Sequence, residues 1–409
     1  MRSPLTASPQ AVRRLLLHRQ LLSTPLVANQ QLASPEQVLS AIRVLEAVQL
    51  DPVAAVERNH HLVLAARVPG YHRAVLEDLL AAGKVFEYEA NAACVLPMED
   101  YPVFKGVRAR MSARLEPELR RYQEVANVVR ARLERDGPLT SRQFQTQGRV
   151  RGYWDNQAAR TKTTSHVLNL LRDSGVIRVT RRVGTERYFD LAERGIPRHI
   201  LEHDRQWSAE EADRALLAKY LRAFRVFDAG DPRLGWRRRP SVERHALLTR
   251  LVSQGELMPF SIDGIKRPYY LHPEDTDVLA RYEADQDRSA LAGHIRFLPP
   301  LDNLCWRRER LLDLFGFAYT WEVYLPPVKR RFGYYAMPIL AGDRLIGRLD
   351  PRLDRKTRRL LISLLQLEPG VRLSATMRTH LMRALDAFKS FHDAEELTIL
   401  RTDPPGVLD

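Results

Sequence analysis

Three stretches of the chain repeat one local pattern, and that repetition limits the available folds more than any other feature. Residues 76–97 (LEDLLAAGKVFEYEANAACVLP), 168–191 (LNLLRDSGVIRVTRRVGTERYFDL) and 247–271 (LLTRLVSQGELMPFSIDGIKRPYYL) each run from a short amphipathic helix, through a glycine, into two β-rich segments. Gly83, Gly175 and Gly255 stand where a helix ends in the left-handed conformation that glycine adopts at little steric cost. The segments after each glycine alternate with the period-two pattern of strands, with Val183-Gly184 and Asp263-Gly264 expected at the hairpin tips of the second and third copies. Helices leading into a two-stranded hairpin describe a winged helix-turn-helix. The expected fold class is therefore α+β, with three tandem winged helix-turn-helix units.

Further helical periodicities complete the units. PQAVRRLLLHRQLL and PEQVLSAIRVLEAV precede the first copy, YQEVANVVRARLERDG and TSRQFQ the second, and AEEADRALLAKYLRAF the third. From about residue 291 the texture turns to β: HIRFLPPLDNL, YTWEVYLPP, GYYAMPILAGDRLIGRLDPRLD and RRLLISLLQLEP are strand-like runs broken by proline and by an Ala341-Gly342-Asp343 turn. These predict a small C-terminal β-barrel or sheet, closed by a terminal helix that opens at a Ser374 cap. The expected domains are residues 1–115, 116–200, 201–285 and 286–409.

The chain carries 64 Lys+Arg against 50 Asp+Glu, a formal net charge of +14, with no long basic tail to account for it. Such a balance points to a polyanionic partner. No run approaches the ~18 apolar residues a membrane span needs, and MRSPLTASPQAVRRLLLHRQ lacks the core of a secretory signal, so a cytoplasmic, nucleoid-associated protein is expected. Cys94 and Cys305 are far apart with no CxxC motif, which predicts free thiols in a reducing compartment and no zinc site. Residues 141–190 hold ten Lys+Arg against four Asp+Glu. There Trp154 and Lys162 lead into the second helix-glycine-hairpin copy, and Arg178, Arg181, Arg182 and Arg187 lie on its wing. WRRRP (236–240), KRRFGYY with Lys329 and Arg330, and RLDPRLDRKTRR with Arg348, Arg355 and Lys356 extend a basic wall suited to phosphates.

The tripeptide Gln49-Leu50-Asp51 sits between an apolar helix pattern and Pro52. Proline disfavours the α region for the residue before it, and in an extended segment residues i and i+2 face the same side, so an amide and a carboxylate would share one small volume. The plainer reading makes Asp51 the N-cap and Pro52 the first residue of a helix over PVAAVERNHH. Arg58, His61 and Arg67 are then expected on one side of the following helix, a basic stripe beside the carboxylate.

Taken in order, VQLDPVAAVERNHHLVLAAR, FEY…LPMEDYP, GYW…LRDSGVIRVTRRVGTERYFDLAERGIP, FLPPLDNLCWRRERLLDLFGFAYTWEVYLP and KRRFGYYAMPILAGDRLIGRLDPRLDRK resemble the blocks of the winged-helix DNA glycosylases typified by AlkZ and YcaQ (also called AlkX). The resemblance covers most of the chain. It implies an enzyme acting on double-stranded DNA with alkylated bases; a monomer without cofactor or metal is expected, since zinc would need a third ligand beside His60 and His61. It also implies that Gln49 and Asp51 are the catalytic pair, in the Gln-x-Asp form. The chain departs from the family after FEY, where Trp and, two residues later, His are replaced by Glu89 and Asn91.

An N7- or N3-alkylated purine is already cationic and leaves without being protonated. It is the sugar cation that needs stabilising, which a carboxylate near C1′ can do while accepting a proton from attacking water held by an amide. No lysine nucleophile stands at the motif, so a monofunctional glycosylase is expected, with unhooking of interstrand crosslinks as an extension. The rival of another class is a winged-helix transcriptional regulator in which Asp51 is only a cap; an RNA-binding accessory protein is a third reading.

Overall fold

The computed structural model describes residues 5–23, 31–145, 148–152, 155, 159–285 and 294–408. The chain forms two compact units: residues 1–33, 48–71 and 220–409 make one, residues 34–47 and 72–219 the other.

In the unit of residues 34–47 and 72–219, helix Pro35–Leu45 starts at a capping box in which Ser34 and Gln37 exchange hydrogen bonds at 3.2 and 2.8 Å. Helix Arg73–Ala81 leads through Gly83 (φ +65°) into strands Val85–Glu89 and Ala93–Pro97. Helix Thr163–Asp173 leads through Gly175 (φ +82°) into strands Ile177–Val183 and Glu186–Leu191. Val183 pairs with Glu186, so the second hairpin turns at Gly184-Thr185, one residue later than expected. Side chains lock the two hairpins into this unit: Glu87 accepts two hydrogen bonds from Arg182, at 2.5 and 2.8 Å, and the Tyr88 hydroxyl donates to the Asp173 carbonyl at 2.8 Å.

The third succession lies in the other unit: helix Ser241–Ser253, Gly255 (φ +75°), then strands Met258–Ile262 and Ile265–Leu271 joined at Asp263-Gly264. Strand Leu5–Ala7 pairs in parallel with Met258–Ile262, and helix Pro9–Arg19, capped by Ser8, buries Ala11, Val12, Leu15, Leu16 and Leu17 in the same core as Phe260, Tyr269, Leu279 and Leu311. The first helix therefore serves the third hairpin and not the first, as its place in the sequence had implied. Five apolar side chains have nowhere to go but a shared core, and sequence distance does not enter that choice.

The C-terminal sheet of this unit orders its strands as Ile295–Phe297, Met337–Ala341, Arg344–Asp354, Arg359–Leu367 and Glu396–Ile399, with Thr402–Asp403 also pairing Arg359–Leu367. Bulges at Ile339/Leu340 and Asp350/Pro351 curl it, and Gly347 permits a close approach in which a Cβ would stand 2.0 Å from the Gln366 carbonyl. Helix Ala375–Phe391, capped by Ser374 as expected, lays Leu381 and Leu385 on Phe297, Ile339 and Leu365. The YTWEVYLPP run is not a strand. It forms two 3₁₀ turns, Glu322–Tyr324 and Pro327–Lys329, because Pro326 and Pro327 have no N–H for a ladder and the Glu322 carboxylate gathers the Phe332 and Gly333 N–H groups at 2.8 and 3.1 Å.

Candidate active site

After a two-residue extended stretch, Val48–Gln49, the chain reaches Asp51 and Pro52. No helix starts here. Residues 51–58 are irregular, and the helix is the shorter Asn59–Ala65. Asp51 Oδ1 instead accepts the Val53 N–H at 2.8 Å, a local Asx turn. The segment forgoes helix formation because its backbone is taken up elsewhere. The Leu353 N–H donates to the Ala55 carbonyl at 3.0 Å, Arg355 Nη2 donates to the Val56 carbonyl at 2.8 Å, and the Val56 side chain is fully buried in the core of the C-terminal sheet. A tertiary anchor overrides a strong local start signal.

Asn59, 1% exposed, braces the tripeptide from below: its Nδ2 donates to the Gln49 carbonyl at 2.9 Å and to the Leu301 carbonyl at 3.3 Å, while its Oδ1 accepts the Leu301 N–H at 3.2 Å. Gln49 is buried and Asp51 half-buried. Burial raises the Asp51 carboxyl above its ordinary value, with the Val53 hydrogen bond opposing. Among the described residues no cation forms an ion pair with it. Beside it stands an aromatic group. Trp321 meets Tyr324 and Tyr335 edge to face at 5.7 and 6.1 Å between centroids, and both phenols are raised, by burial first and by the Asp51 charge next. Nothing in the sequence singles out Asn59, Trp321, Tyr324 or Tyr335. The aromatic positions fall inside a run patterned like a strand or next to a basic cluster, and Asn59 opens a helix whose next two residues, His60 and His61, are polar as well.

Several of the cations expected on DNA have structural duties instead. Arg67 and Asp302 form an ion pair at 2.6 Å with both side chains fully buried, and Arg67 also donates to the Gln20 and Val63 carbonyls. His61 is buried against the Tyr71 hydroxyl at 2.8 Å, and Arg58 is half-buried at the helix start. Arg178 is buried and donates to the Gly195 carbonyl. Arg348, within strand Arg344–Asp354, is buried, bonded to Gln366, Glu368 and the Ala318 carbonyl, with its guanidinium 4.2 and 3.9 Å from the Phe317 and Phe332 ring centroids. The guanidinium's fork of donors suits it to stapling carbonyls, which is why basic runs overstate the free charge.

Arg182 is spent on Glu87. Arg187 is half-buried over Phe189, with its guanidinium lowered to about 10 by burial and then by Arg172 and Arg182. Lys162 and Arg181 are exposed in their unit, Arg181 over Tyr188. Lys329, Arg355 and Lys356 are exposed in the other, while Arg330 folds back on the Leu325 carbonyl at 2.8 Å. Trp154 lies outside the described residues. Among the described residues no three His, Cys, Asp or Glu side chains gather as a metal site would require.

The AlkZ-like DNA glycosylase family profile matches residues 42–391, a span that contains the Asp51 turn, its Asn59 brace and the aromatic group. The chain belongs to this family of DNA glycosylases. Its fold is also similar to that of Streptomyces sahachiroi DNA glycosylase AlkZ, with a TM-score of 0.58 at 17% identity over 97% of this chain and 100% of that one. At that identity the likeness speaks for the mixed α+β fold and not for individual residues. An AlkZ-like glycosylase acts on DNA, and the exposed cations of both units agree with a polyanionic partner. Among the described residues no helix is long and apolar enough to cross a membrane.

Proposed function

We propose that this AlkZ-like glycosylase excises cationic alkylated purines, such as N7-alkylguanine, from duplex DNA by water attack at C1′, and that it belongs to the Gln-x-Asp branch of its family. The observation that carries the proposal is a half-buried Asp51 carboxylate with one backbone hydrogen bond and, among the described residues, no ion-pair partner. Carboxylates with only a structural duty are normally paired or fully solvated. This one retains its charge for a guest. The guest is the developing sugar cation, and the same carboxylate takes the proton from water as the glycosidic bond breaks. Gln49 holds that water. The neutral purine leaves with the bonding electron pair, which discharges its own positive charge, so no acid is needed and neutral lesions such as uracil or 8-oxoguanine are not substrates. No lysine serves as nucleophile, which makes the enzyme monofunctional. Interstrand crosslinks joined through N7 of guanine fall within the same chemistry.

The helix-glycine-hairpin successions at Gly83, Gly175 and Gly255 are read as winged helix-turn-helix units, the third sharing its core with the chain's first helix and with the β-rich residues beyond 286. The enzyme works as a monomer on the nucleoid.

The test is single-turnover excision from a duplex carrying one N7-methylguanine. Asp51→Asn keeps the acceptor for the Val53 N–H, so the fold and DNA binding are expected to persist while excision slows by ~10²-fold or more. Gln49→Ala is expected to be milder. Excision by Asp51→Asn at the parental rate would return the tripeptide to a purely structural role.

A further inference from the structure

The loop of residues 321–335 carries four of the twelve large apolar side chains that the described residues expose: Tyr324 at 72%, Leu325 at 37%, Val328 at 93% and Tyr334 at 41%. A folded chain seldom leaves such a cluster bare without a use for it. The loop is also held stiffly. The Glu322 carboxylate takes the Phe332 and Gly333 N–H groups, Arg330 closes the far side on the Leu325 carbonyl, and the Tyr335 N–H is fixed by Asp350 at 2.7 Å. Gly333 has φ +119°, and a Cβ there would stand 2.2 Å from Asp350 Oδ2, so the loop's return is specified by glycine. Pro326 and Pro327 remove two further degrees of backbone freedom at the tip.

This apolar tip is flanked by the exposed cations Lys329 and Arg331, and its Tyr324 lies close enough to Asp51 to respond to that carboxylate's charge. Apolar side chains framed by cations, on a rigid support next to a carboxylate, are chemically complementary to a base stack framed by phosphates. We propose that residues 324–328 are a wedge that enters duplex DNA beside the nucleotide presented to Asp51, with Lys329 and Arg331 on the adjoining phosphates. The proposal rests on the reading of Asp51 as the reacting carboxylate. Val328 and Tyr324 take the place of stacked bases, and the lost stacking opens C1′ to the carboxylate. A lipid surface and a second copy of the chain are the competing occupants of an apolar tip. Membership of a DNA glycosylase family favours DNA over the first, and the chain's net charge of +14 opposes the second.

The experiment uses the full chain with a duplex that undergoes no chemistry: a tetrahydrofuran abasic-site analogue with 2-aminopurine as its neighbour. Binding of the parental protein is expected to raise 2-aminopurine fluorescence several-fold, and Tyr324→Ser/Val328→Ser to abolish the rise. The variant's melting curve should be unchanged, because both side chains lie on the surface. Its affinity for undamaged duplex should stay within about twofold, while its excision from N7-methylguanine duplex should fall about tenfold or more, the size of one lost base stack. Tyr324→Phe/Val328→Ile should restore the fluorescence rise. Lys329→Ala/Arg331→Ala should weaken binding to every duplex alike and flatten its salt dependence.

A serine variant that unstacks 2-aminopurine like the parent overturns the wedge. So does a variant whose only loss is binding to anionic phosphatidylglycerol vesicles, or a shift in sedimentation of the parental chain that the variant lacks. Since the fluorescence assay involves no bond breaking, parental excision by Asp51→Asn would remove the catalytic reading and leave the wedge standing, and the converse pattern would do the opposite.

Discussion

At the scale of single residues, the proposed role of Asp51 sets chemistry against stability. Its carboxyl is raised by burial, so ionisation is harder in the folded protein than in the unfolded chain. Whatever stability the site retains is fully present below the ordinary carboxylate range and is lost as pH rises through the raised native value. Asp51→Asn is therefore expected to be as stable as the parent at low pH and more stable near neutrality, with the gap opening as pH rises; urea midpoints across pH check this. On the proposed mechanism excision needs the ionised form, so its rate should fall with unit slope as pH drops through the same raised value, at higher pH than an unperturbed carboxylate would give. Asn59 makes the complementary case. Asn59→Ala deletes three hydrogen bonds beneath the tripeptide and leaves buried backbone groups without their partner, a loss of about 1 to 3 kcal/mol. If Asp51 is the reacting carboxylate, excision should fall with it, because Asn59 holds the Gln49 carbonyl of the same tripeptide, whereas a loss of stability with parental excision would limit Asn59 to packing.

Elements reveal where the sequence could be read and where it could not. The left-handed glycines, the Ser374 cap and the Asp263-Gly264 tip follow from local sterics and local hydrogen bonding, and all three glycines sit where the pattern placed them. Asp51-Pro52 was as good a start signal as Ser34-Pro35, yet only the second begins a helix, because Val56 and the Ala55 and Val56 carbonyls are claimed by strand Arg344–Asp354 and the turn after it. Nothing local to residues 51–58 encodes that claim. The same limit governs charge: Arg67 and Arg181 look alike in a sequence, and only the fold shows that one faces Asp302 in the dark and the other faces water. Two measurements separate them. Arg67→Ala leaves Asp302 buried and uncompensated and should cost about 3 to 5 kcal/mol in chemical denaturation. Arg181→Ala and Lys162→Ala should leave stability within ~0.5 kcal/mol. If each meets a phosphate, each should shrink the log-log salt slope of duplex binding by about 0.9.

For the whole molecule, the pairing of strand Leu5–Ala7 and the packing of helix Pro9–Arg19 with residues beyond 220 mean that the chain's start and its second half stand or fall together. Ala11, Val12, Leu15, Leu16 and Leu17 are essentially inaccessible to solvent. At about 1.5 to 3 kcal/mol for each large side chain, an upper estimate, their burial is comparable to the ~5 to 15 kcal/mol that holds a typical domain together. Deleting residues 1–20 should thus unfold the unit containing residues 220–409 and leave it open to limited proteolysis, an outcome that four independent consecutive domains would not produce. Leu16→Ala should cost about 2 to 5 kcal/mol by the same packing.

The docking of residues 51–58 onto strand Arg344–Asp354 also sets a clock. Asp51 leaves the ribosome early, but its backbone partners follow some three hundred residues later, which at ~5 to 20 residues per second is a delay on the order of tens of seconds. Until strand Arg344–Asp354 has been made, the segment that carries Asp51 lacks the anchor that fixes it in the finished protein. If Asp51 is the reacting carboxylate, synthesis itself keeps the activity off until the polypeptide is nearly finished, and a chain ended before residue 344 is expected to excise no base.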